Sequence, residues 1–336
     1  MAGLAQYSEF FANPVFTETI KEVPVMKSYI GSRFLPTEET YEIDFNETVL
    51  ERQMDMADIV DNGAELPLTD RDPVRRVSGE IADIGQSYIV TKKELAALLD
   101  KGNPGKRRIA EKQLLQKAAT VKGNIDARIE WLRWQALGEG RLAYNKAGIN
   151  LGVDFGVRAE NKVTAGTRWN DVGATILNDY EKWVQDYVDL NGLTPDVFVT
   201  GIGAIRIVMN NAEVRKAITG SGDQLITINQ LNDFLTGRQL PRMEAFDTVV
   251  AYRDVNNGGV RQQQRLLAAN KGVFLVEGGE IGSQLLGPTV ENEMNPGIYA
   301  HSFTQQRPRR EIVEVVAASF PKILNPDLIK QAVILT

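Results

Sequence analysis

Residues 38–72 carry twelve carboxylates against two bases, Arg52 and Arg71. The stretch is sparsely apolar. An alternating extended segment, Tyr41–Phe45, lies near its start, and a second extended segment, Gly79–Val90, follows its end. Asn62-Gly63 and Asp72-Pro73 mark turns inside it. A connection this long, without a core of its own, is unusual in a compact domain. Two readings follow. Either the segment is disordered, or it is a hairpin arm that finds its packing partner on another molecule.

The charge then reverses. From Lys101 to Arg141 ten bases outnumber four acids. This segment reads as one long helix. Asn103 is a candidate N-cap and Pro104 stands at the first helical position, where its missing N–H costs nothing. Ala110, Leu114, Ala118, Val121, Ile125, Ile129, Leu132 and Ala136 recur in steps of three or four, which makes one apolar stripe. Gly138 is the expected stop and Gly123 a possible bend. The span 104–137 would be about 50 Å long at 1.5 Å per residue. Its bases fall largely off the stripe. The acidic and basic segments are either two solvated faces or surfaces that meet between copies of the chain.

The rest of the chain reads as a mixture of segregated helices and strands, an α+β pattern with no internal repeat. A glycine-bent strand covers 148–156. A helix over 171–191 has Ile176, Tyr180, Trp183, Tyr187 and Leu190 on its buried face and Gly192 at its end. A strand at 196–200 precedes helical residues 203–218, broken at Asn210-Asn211, and a short helix at 229–235. Residues 248–252 and the run through Val276 read as a hairpin turning near 256–259. Strands at 311–320 and 332–335 close the chain. The 336 residues suffice for one large domain or two smaller ones.

Several chemistries are poorly supported. There is no cysteine, which excludes disulfides, thiolate nucleophiles and thiolate metal sites. The single histidine, His301, makes a zinc site implausible and reads as a structural or surface residue. No signal peptide is recognisable in the first 24 residues, and no apolar run approaches the roughly 18–20 residues of a membrane helix. A soluble chain that folds in the cytoplasm is therefore expected. Val197–Arg206 imitates a dinucleotide-binding turn, with Gly201 and Gly203 between strand and helix. Arg206 replaces the third glycine, and Asp223 stands about 20 residues on in a loop rather than at a strand end. A tight turn before a helix is the simpler reading. Trp131 and Trp134 beside Arg128 and Arg133 could stack nucleobases, but helical aromatics beside a stripe are more often packing residues. No catalytic residue, cofactor or metal is assigned.

Five stretches together resemble the phage lambda major capsid protein E family, whose members share the capsid fold named for phage Hong Kong 97. They are Tyr29–Pro36; Val153–Gly156 with Trp169–Asp171; Leu193–Val199 with Val208–Arg215; Glu280–Pro288; and Arg309–Glu311 through Ala318–Pro321. Their order and spacing run over nearly the whole chain, from Tyr29 to Leu335. The resemblance implies an N-terminal arm (1–35) and a peripheral-domain strand with an extended loop, the E-loop (36–92). A peripheral domain with a spine helix at about 104–137 (93–173), an axial domain (174–300) and a return to the peripheral domain (301–336) would follow. It also implies a shell protein without enzymatic activity, assembling in the host cytoplasm and ending in the virion. Hexamers and pentamers would form an icosahedral shell around packaged double-stranded DNA, with scaffold and portal proteins as partners and, as often in the family, a decoration protein. A net charge of −6 is tolerable in a container that must hold DNA without gluing to it.

The charge reversal then acquires a role as an expectation. Asp55, Asp58 and Asp61 of one copy would lie across Arg107, Arg108 and Lys112 of the next, with Met54, Ile59 and Leu66 supplying apolar contact. The alternatives are an encapsulin-type compartment of the same fold and, from another class, a nucleotide-dependent oxidoreductase built on the Gly201 turn.

Overall fold

A computed structural model describes residues 3–50, 74–100, 102–146, 149–254 and 260–336. Two short 3-10 turns, Gly3–Gln6 and Glu9–Phe11, precede the first α-helix, α1 (Asn13–Lys21). Leu4, Phe11, Phe16 and Ile20 are fully buried around it, so the N-terminal segment is anchored by its own apolar side chains. Strand β1 (Thr37–Glu39) follows, then β2 (Asp44–Leu50) and β3 (Val74–Glu80). The last two pair antiparallel, from Asp44 opposite Glu80 to Leu50 opposite Val74. The flanks of the acidic stretch are thus the two sides of one hairpin. Met54, Asp55, Asp58, Ile59, Asp61 and Leu66 lie outside the described residues.

After β4 (Asp83–Ile89), Thr91 and Glu94 form a reciprocal capping box at the start of α2 (Lys92–Leu98). The long helix is α3 (Pro104–Trp134), capped by the Asn103 side chain, which accepts from the Lys106 amide at 3.1 Å. Its stripe is buried from Ala110 to Leu132. Gly123 lies inside the continuous helix. The stop is not Gly138. The chain runs on through a π-helical turn, Gln135–Glu139, to Gly140 at φ 65°. Gly140 is the residue that must be left-handed, whereas Gly138 makes room for Leu267, which a Cβ would approach to 3.1 Å.

The hairpin β5 (Arg141–Lys146) and β6 (Ile149–Asp154) comes next, then β7 (Lys162–Thr164) and α4 (Ile176–Asn191). Helix α4 starts five residues later than the sequence suggests. Leu190 is exposed, and Asn191 takes the inward position by donating to the Tyr187 and Asp327 carbonyls. Strand β8 (Val197–Thr200) leads to α5 (Ile202–Asn210) and α6 (Ala212–Thr219), with Asn211 capping α6, the expected break. Then come α7 (Ile228–Gly237), β9 (Arg242–Ala245), β10 (Val249–Asp254), β11 (Val260–Arg265) and β12 (Lys271–Leu275). The chain closes with β13 (Gly282–Thr289), β14 (Asn295–Pro296), β15 (Tyr299–Gln306), β16 (Arg309–Ile323) and β17 (Lys330–Val333).

Two sheets organise these strands. The first runs β1-β13-β16-β15, with β4 also on β16 and β14 on β13. Alternate residues of β16 (Val313, Val315, Ala317) bury one face under the α3 stripe and α1. The second runs β7-β17-β12-β8-β9. The two-residue period of its strands divides two cores. Val197, Val199, Val273 and Leu275 face Trp134 and the end of α3. Phe198 and Phe274 face the opposite way, among Tyr180, Ile205 and Leu231 of the helices.

One edge of each sheet is closed by a side chain. Thr17 of α1 donates to the Ala300 carbonyl at 2.8 Å and accepts from its amide at 3.3 Å. On β9, Asn232 does the same for Met243, at 3.1 and 2.8 Å. The β2–β3, β5–β6 and β10–β11 hairpins pair with no other described strand.

Packing between β8 and β12 is close. A Cβ on Gly272 would stand 2.0 Å from Cζ of Phe198. Overpacking of this kind costs about 1–3 kcal/mol. Gly272→Ala is expected to lower the melting temperature of the unassembled protein by several degrees. Gly203→Ala on α5, whose Cβ would meet nothing within 4 Å, should leave it unchanged or slightly higher. Calorimetry on both variants checks the difference.

Candidate assembly surfaces

The expectation that the bases of the long helix face solvent is only half right. Lys122, Asp126, Glu130 and Arg133 recur in steps of four, four and three, and all four are buried. Lys122 pairs with Asp126 at 2.9 Å and donates to the Val23 carbonyl at 2.8 Å. Glu130, wholly buried, accepts from the Gly31 amide (2.8 Å), the Trp134 indole (2.9 Å) and Arg133 (3.3 Å). Arg133 also donates to the Thr37 hydroxyl at 2.8 Å. Residues 23–37 are thereby strapped along α3. A Cβ on Gly31 would lie 2.9 Å from both Glu130 oxygens, so glycine is what lets the amide reach them. Burial raises the Asp126 carboxyl above its usual range, against the pull of Lys122. Burial also raises the Tyr29 phenol, with Glu130 and Asp126 adding to it.

The strap continues to the second sheet. Arg33 contacts Glu244 of β9 at 2.6 Å and Glu277 at 2.5 Å, and Arg242 joins Glu277 at 2.8 Å. Arg33 is the main reason the Glu277 carboxyl lies below its usual range. The Gln284 amide of β13 donates to the Pro36 carbonyl at 2.8 Å. One segment therefore touches the helix and both sheets.

Arg107, Arg108 and Lys112 are not a single surface. The Arg107 guanidinium donates to the Tyr7 carbonyl at 2.6 Å and pairs with Glu111 at 3.3 Å, so it holds the N-terminal segment of its own chain. Arg108 and Lys112, one turn apart, are exposed and have no ion pair among the described residues. Successive helical residues point about 100° apart, which is why neighbours in sequence separate here. Lys106 pairs with Asp100, and Lys117 pairs with Glu94 beside the Tyr88 ring.

The enzyme-like turn is differently filled. The Ile202 amide, at the start of α5, donates to Asp247 at 2.7 Å, and Arg265 also pairs with that carboxylate. A built-in acid thus occupies the position a phosphate would take. Arg206, at the place of the motif's third glycine, is exposed, so its side chain does not crowd the approach of helix to strand. His301 is stacked between Tyr299 (5.2 Å) and Phe303 (5.6 Å), near Glu314, and burial lowers its pKa. Trp131 and Trp134 are both buried packing residues. Among the described residues, no group of three or more potential ligands could hold a metal ion, and no helix is long and apolar enough to cross a membrane.

The family model described as phage major capsid protein E matches residues 14–333. The chain belongs to that family. The fold agrees. The crystal structure of a putative capsid protein of an Escherichia coli CFT073 prophage superposes with a TM-score of 0.60, at 12% identity and 94% coverage of both chains. A phage-related protein from Bordetella bronchiseptica RB50 superposes with a TM-score of 0.57, at 11% identity, over 95% of this chain and 96% of that one. No curated protein sequence matches. The α+β capsid fold of the Hong Kong 97 type and the role of a phage major capsid protein, both expected from the sequence, therefore stand. The encapsulin and oxidoreductase readings give way to them. A capsid is built from many copies, so the exposed surfaces above are candidates for contacts between copies.

The buried ladder on α3 was missed because its i, i+4 charges look like an ordinary solvated face. The usable signal was that Asp126 and Glu130 directly follow Ile125 and Ile129 of the stripe. Removing one partner of a buried pair costs about 3–5 kcal/mol, whereas replacing both by apolar groups is often near neutral. Lys122→Met is thus expected to destabilise the unassembled protein strongly. Lys122→Met with Asp126→Leu should recover most of the loss, as read by denaturant unfolding of the single and double variants.

Proposed function

We propose that this capsid protein assembles into hexamers and pentamers of an icosahedral shell around packaged double-stranded DNA, using the β2–β3 hairpin as an arm between copies. The observation that carries this reading is a ribbon with twelve acids at and beyond its root that pairs with no other described strand of its own chain. An isolated two-stranded hairpin is marginal in water, so a neighbour is its natural support. In this reading the first sheet and α3 form the peripheral domain, with α3 as the spine helix. The second sheet and α4–α7 form the axial domain, and residues 1–35 are the N-terminal arm. Asp55, Asp58 and Asp61 meet exposed cations of the adjacent copy, among them Arg108 and Lys112. Met54, Ile59 and Leu66 add apolar burial. Arg107, engaged within its own chain, is left out of that contact.

The shell role calls for no enzymatic activity and no cofactor. Assembly takes place in the host cytoplasm, on a scaffold and around a portal, and a decoration protein can join the finished virion. The net negative charge keeps the enclosed DNA from being bound by sequence-independent attraction.

Each exposed ion pair is worth only about 0–1 kcal/mol, but a shell repeats it at every interface. Reversal of Asp55, Asp58 and Asp61 to lysine is expected to abolish or sharply reduce shells in electron micrographs, with the circular dichroism and melting of the unassembled chain unchanged. Normal shells from the triple variant would sink the arm mechanism.

A further inference from the structure

The bases of α3 and its exit differ in what they have left to bind. Lys106, Arg107, Lys117, Lys122 and Arg133 are all committed within the chain. Arg128 is not. Its guanidinium lies over the rings of Trp131 (4.9 Å) and Tyr144 (5.3 Å), and no carboxylate among the described residues pairs with it. It also lines a groove of about 310 Å³ between α3, the β5–β6 hairpin and the β10–β11 hairpin. Among the described residues, its lining contains no acid. Its polar lining is mainly amide, from Asn124, Gln135, Asn145 and Gln264, with Tyr252 opposite.

We infer that this groove is the seat for an acidic extended segment from a second copy of the chain, with Arg128 as the anchor for one of its carboxylates. This rests on the assembly reading above and moves the main receptor from the start of α3 to its C-terminal half. Three features favour that occupant. A planar guanidinium braced on two rings keeps its N–H edge free for a carboxylate and loses little freedom on binding. Side-chain amides both donate and accept, which suits the backbone of an extended strand. The two hairpins forming the walls pair with no other described strand, and an open strand edge readily recruits another chain. Charge selects the segment, since residues 38–72 hold twelve acids and two bases. A nucleobase is a poor fit, because Arg128 already covers the aromatic faces it would stack on.

The test uses assembled particles of the full chain. A photo-crosslinking amino acid replaces Gln264 in one preparation and Lys112 in another. The inference expects crosslinks from position 264 to residues 38–72 of a different copy, seen as covalent dimers and mapped by mass spectrometry. Crosslinks within one chain, to another protein, or to 38–72 from position 112 only would overturn the groove while leaving the arm reading intact. Failure of the unsubstituted protein to form shells would overturn both. In parallel, Arg128→Gln is expected to lower shell yield at fixed concentration and salt by about tenfold or more, with Arg128→Lys failing to restore it. The pair Arg108→Gln and Lys112→Gln should have the smaller effect. The melting temperature of each unassembled variant separates lost assembly from lost folding, and equal yields for Arg128→Gln and the parent would refute the anchor.

Discussion

Everything in this fold leans on a carboxylate that water cannot reach. Glu130 is wholly buried in the long helix, and a charge so placed is tolerable only when fully paired and hydrogen-bonded. Its partners fix the chain around it. Arg133 comes from the same helix, the indole of Trp134 from the next turn, and the Gly31 amide from a segment ninety-nine residues away. The strap has little choice of position once the helix forms. From there Thr37 is held by Arg133, β1 runs parallel to β13, and Arg33 reaches the edge of the second sheet. A segment with hardly any regular structure thus sets the relation between the helix and both sheets.

The same ladder explains a division of labour among charges. The ion pairs Lys122–Asp126 and Glu130–Arg133 are buried, and Glu130 is shared among several donors. The charges left over are single and solvated (Arg108 and Lys112) or braced on aromatic rings (Arg128). Committed pairs hold one copy together, and uncommitted ones are the candidates for contact with its neighbours. An exposed pair contributes little by itself. That weakness is useful in a shell, because contacts that are feeble singly can be remade while errors are corrected.

Much of this was legible in the residues. Asn103 and Pro104 at the helix start, the stripe from Ala110 to Leu132, the Asn211 break and the Gly192 stop are local signals, and the structure uses each as expected. The strap was visible only as part of a resemblance, in Tyr29–Pro36. Its physics was hidden, because Lys122–Asp126 at i, i+4 reads the same on a wet surface and in a core. Burial there depends on chain folded against the helix from far away. Leu190 and Arg206 failed for the same reason: each was judged by its neighbours in sequence, and its exposure was set by which way the helix turned. For the groove, the Trp131–Arg128 neighbourhood was noticed. Tyr144 and the second hairpin could not be, since nothing in the local pattern brings Val250, Tyr252 and Gln264 beside residue 131.

Edge protection carries the argument from one copy to many. An unpaired sheet edge invites any other edge, and open-ended pairing of that sort builds fibres rather than closed bodies. Here Thr17 takes both backbone groups of Ala300 on β15, and Asn232 takes both of Met243 on β9. Each engages the second residue of its edge strand. One edge of each sheet is protected in this way, and the β2–β3, β5–β6 and β10–β11 hairpins, which pair with no other described strand, are the candidates for contact with another copy. A contact made through such arms has a defined angle. A defined angle, repeated among identical copies, is what a closed shell requires and what a bare sheet edge cannot supply.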